Sequence, residues 1–331
     1  MLGQPLRIGS MEVANRLVLP SMATYKNSRG GQVTDALVEH YGERCDGGHL
    51  GLVMTEHLYV HPWGQAKADQ VSIARDEDIA PLARITGRIH QTPAKVMAQI
   101  SHGGSACFAE VIGRPALSAS SVVLPVVPTI GDGVEPDEMT VEQIGEVVRC
   151  FAAAAVRARE AGFDGVELHS AHGYLLNQFY SPLTNRRADQ YGGPLENRIR
   201  LHLEVIAAVR EAVGGDFPVA VRLGGSDFME GGSTIEDAVE AARAFEAAGI
   251  DLIDLSGGMC RFDRAGHKEP GYFADLSSAV KAAVGIPVML TGGVKTREDA
   301  EALLDAGATD LVGVGRAFLA NPHWADDALG S

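Results

Sequence analysis

Short runs of aliphatic and β-branched residues recur along the chain, separated by longer stretches whose apolar positions repeat every three to four residues. Eight runs read as strands: NRLVLPSM (15–22), LGLVMTE (50–56), KVMAQIS (95–101), DGVELHS (164–170), PVAVRLG (218–224), DLIDLSG (251–257), PVMLTGG (287–293) and LVGVGRAF (311–318). Nearly continuous apolar strands are covered on both faces, which is the pattern of a parallel sheet. The segments between them, among them 142–161, 198–213, 234–248 and 296–306, read as the covering helices. Eight such units predict an α/β fold closed into an eight-stranded parallel (β/α)8 TIM barrel. An open doubly wound sheet is the other arrangement of the same units.

The spacing is uneven at one place. Residues 102–141, rich in Pro, Gly and Ser, separate the third strand from its helix, and so long an irregular segment within a domain is usually functional or disordered. Its mildly apolar character predicts a lid or hairpin folded over the barrel top. No linker breaks the chain, so residues 1–331 are expected to form one domain.

Composition narrows the function classes. The 331 residues are 46% hydrophobic but only 6% aromatic, which suits a helix-rich α/β core. A formal net charge of −15 disfavours a nucleic-acid surface. Cys45, Cys107, Cys150 and Cys260 lie far apart with no CxxC pair, unlike a disulfide framework, a zinc site or an iron–sulfur site. The N-terminus lacks a basic segment followed by an apolar one, and no run reaches the length of a membrane span. A cytoplasmic protein with no membrane partner is expected; a homo-oligomer is compatible with the sequence.

Candidate chemistry gathers at strand ends. In such barrels the active site lies at the C-terminal mouth, and phosphates bind after strands seven and eight. Those strands run into TGGV (291–294) and GVGRAF (313–318). Gly292, Gly293 and Gly315 let backbone N–H groups approach phosphate oxygens, and Arg316 can add a charge-assisted bond; tight turns alone would also account for the glycines. Gln99, His169 and Arg222 end three other strands amid residues that should be buried. Each alone reads as a structural polar residue; together they suggest an extended, phosphate-bearing cofactor. The absence of a strand–GxGxxG–helix unit argues against a dinucleotide held in Rossmann fashion, and FMN suits the layout better. In VELHSAHGYLLNQF (166–179), His169, His172 and Tyr174 stand between apolar runs. A buried histidine pair and half of a metal site are the plainer readings of His-x-x-His, but nothing between the two histidines completes a metal shell.

The segment GFDGVELHSAHGYLLNQFYSPLTNRRADQYGGPLENRIR (162–200) resembles the signature of the Old Yellow Enzyme family of FMN-dependent ene-reductases. The resemblance extends from IGSMEVANRLVLPSM to GVGRAFLANP, essentially the whole chain. It implies bound FMN over the barrel mouth, with Gln99 and Arg222 at the flavin ring, Pro20, Ser21 and Met22 beside it, and Gly292, Gly293, Gly315 and Arg316 around the phosphate. It further implies that His169 and His172 hold a carbonyl or carboxylate oxygen while Tyr174 delivers a proton, with NADPH or NADH as hydride donor. The expected reaction is reduction of an activated C=C bond in an enone, enal or 2-enoate. Tyr25 matches a substrate-pocket tyrosine of one branch. The loop 181–193 reads as scaffold, with Asn185 and Asp189 bonding backbone, and Pro194 and Glu196 open a helix.

The chain departs from the family pattern in places. Ala23 stands where many relatives carry a hydrogen-bonding Cys or Thr that tunes the flavin, leaving Thr24 or His57 as substitutes. SHGGSACF (101–108) lacks the basic residue that several relatives carry after the glycine. Without clustered cysteines the chain is expected to be a barrel-only form. Two other readings stay open: a flavin-dependent amine dehydrogenase or demethylase, and a flavin-free phosphate-binding lyase or isomerase.

Overall fold

The eight apolar runs become the staves of a closed barrel. A computed structural model describes residues 1–26, 30–126 and 130–330; positions 127–129 of the excursion after the third strand, and residue 331, lie outside the described residues. The strands are β1 (Leu17–Leu19), β2 (Leu52–Met54), β3 (Lys95–Ser101), β4 (Gly165–Ser170), β5 (Val219–Ser226), β6 (Leu252–Gly257), β7 (Val288–Thr291) and β8 (Leu311–Gly313). Each pairs in parallel with the next, and β8 pairs with β1 to close the ring. The open-sheet alternative is thereby excluded.

Alternation along the strands sorts two cores. Outward residues such as Val166, Leu168, Val221 and Leu223 pack under the helices. Inward residues Val18, Leu52, Met54, Met97, Ala220, Leu252, Met289 and Leu311 fill the lower barrel. A short antiparallel hairpin, Leu6–Ile8 with Met11–Val13, places Ile8, Met11 and Val13 against this inner layer and plugs the floor. Complete burial of each such side chain contributes roughly 1.5–3 kcal/mol. One step up the barrel the inward residues turn polar: Gln99 on β3, Glu167 on β4, Arg222 on β5 and Asp254 on β6, with Gln99 beside Glu167 and Arg222 beside Asp254 in register.

Helix starts follow local chemistry. Thr140, Thr234 and Thr296 each accept from the backbone N–H three residues on, while Gln143, Asp237 and Asp299 reach back in reciprocal capping boxes. These fix the helices Val141–Glu160, Ile235–Ala247 and Arg297–Asp305.

Several expected boundaries move. The predicted eighth strand, 311–318, ends at Gly313, and Arg316–Ala320 is helical; the apolar run continues because Phe318 is buried from the helix rather than from a strand. The first two strands are three residues each, and Pro20–Met22 leaves the sheet as extended chain. The excursion contains the helix Ala109–Ile112 and a parallel pair, Leu117–Ser118 with Asp137–Glu138. Its residues Ala106, Leu124 and Val126 pack with Met259, and Ile130, Tyr174 and Leu183 lie against that cluster.

Candidate active site

The mouth of the barrel holds four rings from two strand ends and one loop. His169 ends β4, and the chain then turns through His172, whose φ is 62°. That left-handed backbone is uncommon for a side-chain-bearing residue and marks a position held by its surroundings. It brings the His172 ring 5.3 Å from that of His169, while the Tyr174 ring lies 4.7 Å from His169. His57, just beyond β2, completes the cluster at 5.0 Å from Tyr174 and 6.0 Å from His169.

Gln178, in the helix Leu175–Tyr180, braces this turn. Its Oε1 accepts from Ser105 N at 3.1 Å and from Ser118 Oγ at 3.0 Å, and its Nε2 donates to the Gly103 and Gly173 carbonyls at 3.1 and 2.6 Å. The excursion after β3 and the His–Tyr turn are therefore tied through one amide. In the following loop, Asn185 donates to Phe179 O and Tyr191 O, each at 2.7 Å, and Asp189 pairs with Arg187, so the scaffold expectation is met. The helix Leu195–Arg198 starts after Pro194, as expected.

Electrostatics keep the imidazoles neutral. Burial, with smaller contributions from nearby cationic groups, holds His169 and His172 well below the ordinary histidine pKa. Burial pushes the Tyr174 phenol up to about 12, so it is fully protonated at neutral pH. His172 Nε2 is 2.8 Å from Ser256 Oγ at the end of β6, a partner that the sequence reading missed. His169 Nδ1 is buried without a hydrogen-bond partner.

Beneath the rings lies a polar floor. Gln99 Nε2 donates to Glu167 Oε2 at 2.6 Å, and its Oε1 accepts from Ser21 Oγ at 2.8 Å. Arg222 Nη1 donates to the Ser21 carbonyl at 3.1 Å. Its Nε lies 3.0 Å from Asp254 Oδ2, an ion pair whose N–H is not aligned for a hydrogen bond. Burial raises both Glu167 and Asp254; the Asp254 charge adds to the rise of Glu167, and the Arg222 guanidinium opposes both. Glu167 and Asp254 were also missed; Glu167 was legible, since it sits two residues before the inward His169.

The remaining expected residues stand around this centre. Pro20 and Met22 flank Gly315, where an added Cβ would come within 3.3 Å of Met22 Sδ. Gly293 has φ 72°, and a Cβ there would meet the Glu269 carbonyl at 2.5 Å; at Gly292 it would meet the Tyr272 ring at 2.9 Å. Arg316 is exposed at the start of its helix. Tyr25 is 66% exposed and receives a bond from Lys67 Nζ at 2.9 Å, which places it on the rim. A small cleft beside it is lined by Ala23, Tyr25, Glu56, His57, Lys67, Asp69 and Gln70. The Thr24 hydroxyl donates to Glu56 at 2.9 Å, leaving His57 as the better-placed polar group on this side. Among the described residues no group of three His, Cys, Asp or Glu could hold a metal ion, and no helix is long and apolar enough to cross a membrane.

The family model of the NADH:flavin oxidoreductase / NADH oxidase proteins matches residues 1–328. The chain belongs to that family. It is 36% identical to an NADPH dehydrogenase of Listeria monocytogenes, over 97% of this chain and 92% of the relative. It is 37% identical to an NADH oxidase of Thermoanaerobacter brockii, over 97% of this chain but 50% of that protein, so the chain spans about half the length of this relative. The same holds for a metal reductase of Desulforamulus reducens, matched at 37% identity over 99% of this chain and 48% of the relative. Among solved structures, an old yellow enzyme homologue from Zymomonas mobilis superposes with a TM-score of 0.84 at 27% identity, covering 97% of this chain and 90% of that one. A 2-naphthoyl-CoA reductase in complex with 2-naphthoyl-CoA superposes at 0.91 and 28% identity, over 99% of this chain and 52% of that one.

The flavin oxidoreductase family uses FMN with NAD(P)H, and the residues of this chain fit such a group. Arg222 supplies a fixed cation in the polar layer beneath the rings, and the buried Thr291 Oγ1 and His169 Nδ1 find no hydrogen-bond partner within the protein. Unsatisfied polar atoms are costly to bury, and such atoms at strand ends suit a polar ring system.

Proposed function

We propose that the chain is an FMN-dependent ene-reductase that uses NADPH or NADH to reduce a C=C bond activated by a carbonyl or carboxyl group. The observation that carries this reading is the neutral His169–His172 pair facing a protonated Tyr174 at the barrel mouth. We also propose that FMN binding is contained within residues 1–331. Gln99 and Arg222 would sit at its ring, Pro20, Ser21 and Met22 alongside, and Gly292, Gly293, Gly315 and Arg316 around its phosphate. When bound, FMN supplies the hydride chemistry.

The protein's own groups do the rest. With Ser256 Oγ donating to His172 Nε2, Nδ1 would be that ring's N–H, and His169 would offer a second ring donor. Two preorganised neutral donors hold a carbonyl oxygen and favour the negative charge that develops on it. They do so without the full charge that would bind any anion. Tyr174 Oη holds the proton destined for the α-carbon. Arg222 provides the positive field expected beside the cofactor ring. Val126 and Ile130 of the excursion approach Gly173 next to Tyr174, consistent with a lid that excludes water there.

Enones, enals, 2-enoates and their thioesters all present the required oxygen. The neighbour solved with 2-naphthoyl-CoA carries such a thioester carbonyl. Binding of a carbonyl or phenol ligand to the FMN-loaded protein tests the oxygen site. Replacing both His169 and His172 with Ala is expected to weaken binding by about tenfold to a hundredfold, the loss of one or two hydrogen bonds; unchanged affinity contradicts the role.

A further inference from the structure

His57 is the member of the ring cluster to which the proposed chemistry gives no task. It lies just beyond β2, separated from β4 by β3 alone, and its Nε2 is 3.5 Å from Tyr174 Oη. Its other nitrogen is more closely held: Gln70 Nε2 lies 2.7 Å from His57 Nδ1. The orientation of the Gln70 amide is fixed from both ends. Its Oε1 accepts from the Ala66 N–H at 2.7 Å, and its Nε2 also faces the His57 carbonyl at 3.1 Å and Ser101 Oγ at 3.2 Å. A backbone donor at one end and a backbone acceptor at the other leave one assignment, with N–H toward His57 Nδ1. That nitrogen must then accept.

A neutral imidazole that accepts at Nδ1 carries its proton on Nε2. We propose that His57 is a positioning residue whose Nε2–H donates to Tyr174 Oη and keeps the phenol proton free to point at the substrate. The inference rests on the proton-donor role proposed for Tyr174. With its oxygen lone pair engaged by His57, the phenol cannot turn its own O–H toward that ring. The same bond strengthens as negative charge appears on Oη during proton delivery, so it lowers the cost of releasing the proton. A long contact in the ligand-free geometry is the usual state of such a bond, which tightens when substrate closes the site.

The surroundings keep His57 neutral, as this role requires. It is buried, and burial together with the fields of Lys67 and Arg222 holds its pKa down at about 4. Gln70, Ser101, the neutral His169 and the protonated Tyr174 face it, and Tyr25, Glu56, Lys67 and Asp69 line the cleft beside it. Gln70, the Ala66 backbone and Lys67 all belong to the segment following β2, so the His57 tautomer is set by a loop outside the His–Tyr turn.

The test is nitrogen NMR on FMN-loaded protein labelled with nitrogen-15 histidine, with His57 assigned by its loss in His57→Gln. The expected spectrum shows an unprotonated Nδ1 and a protonated Nε2 from mildly acidic to mildly alkaline pH, and the Nε2 resonance shifts in Tyr174→Phe. A protonated Nδ1, or an Nε2 resonance indifferent to Tyr174→Phe, overturns the proposal. In the alkene half-reaction, His57→Leu is expected to slow turnover about tenfold and enlarge the solvent deuterium effect. His57→Gln, which keeps an N–H donor, restores part of the rate; equal losses in the two variants count against the donor role. The NMR readout needs no alkene, so failure of the ene-reductase reading would show separately, as absent turnover with the tautomer intact.

Discussion

At the scale of single residues, the proposed site would work by keeping protons in place. His169 and His172 are neutral because they are buried, and Tyr174 keeps its proton because burial raises the phenol to about 12. Stopped-flow kinetics separate the two half-reactions. Tyr174→Phe is expected to slow reduction of the alkene by about a hundredfold, the usual worth of a positioned general acid, while reduction of the flavin by nicotinamide changes little. An equal fall in both would remove Tyr174 from the proton-donor role. Arg222 bears a different load. It sits against the buried Asp254 and the Ser21 carbonyl, so Arg222→Met would leave buried acids without their cation. FMN affinity, read by fluorescence of the free cofactor, is expected to fall at least tenfold; unchanged affinity would contradict its proposed place at the flavin ring.

At the scale of elements, the strands were the most legible part of the chain and their ends the least. KVMAQIS, for example, is β3 over its full predicted length, because every residue within it is buried or edge-buried and the pairing is continuous. In LVGVGRAF the same apolar density spans a strand, a turn and a helix, and periodicity over so few residues cannot separate them. The His–Tyr turn stood out because three polar residues interrupt an apolar run. Asp254 and Ser256 did not, because DLIDLSG reads as an ordinary buried strand until its inward face is known. The contact of His57 with Tyr174 joins residues more than a hundred positions apart, a pairing that spacing alone does not reveal. The floor hairpin carries its own prediction. Ile8 is fully buried against the lower barrel, so Ile8→Ala is expected to cost about 2–4 kcal/mol in denaturant unfolding while leaving ligand affinity at the mouth unchanged. A loss below about half a kcal/mol would show that the hairpin is not part of the packed core.

At the scale of the whole molecule, the protein encloses an unusual number of neutral histidines. His40 and His57 are held at about 4 and His102 and His202 at about 3, in each case chiefly by burial, and His169 and His172 are also depressed. A depressed folded pKa contributes stability that is present above the unfolded value of 6.5 and is lost as pH falls toward the folded one. The raised Glu167 and Asp254 act in the opposite direction, favouring the folded state on acidification, but the two are outnumbered by the six histidines. Thermal stability is therefore expected to drop steadily from pH 6.5 to pH 4, by roughly 1.4 kcal/mol per pH unit for each net proton taken up on unfolding. A melting temperature that holds level through that range would contradict the neutral, buried state of these rings.

The same barrel organises the proposed catalysis. The inward residues change from apolar at the floor to polar in the middle and to imidazole and phenol rings at the mouth, so the proposed cofactor and substrate would meet at one end. The most direct measurement is an anaerobic visible-absorption titration of the FMN-loaded protein, first with NADPH or NADH and then with 2-cyclohexenone. The ene-reductase reading predicts that the nicotinamide bleaches the flavin and that the enone restores its colour. Bleaching with no recovery by the enone, or by a 2-enoate or an unsaturated thioester in its place, would contradict it.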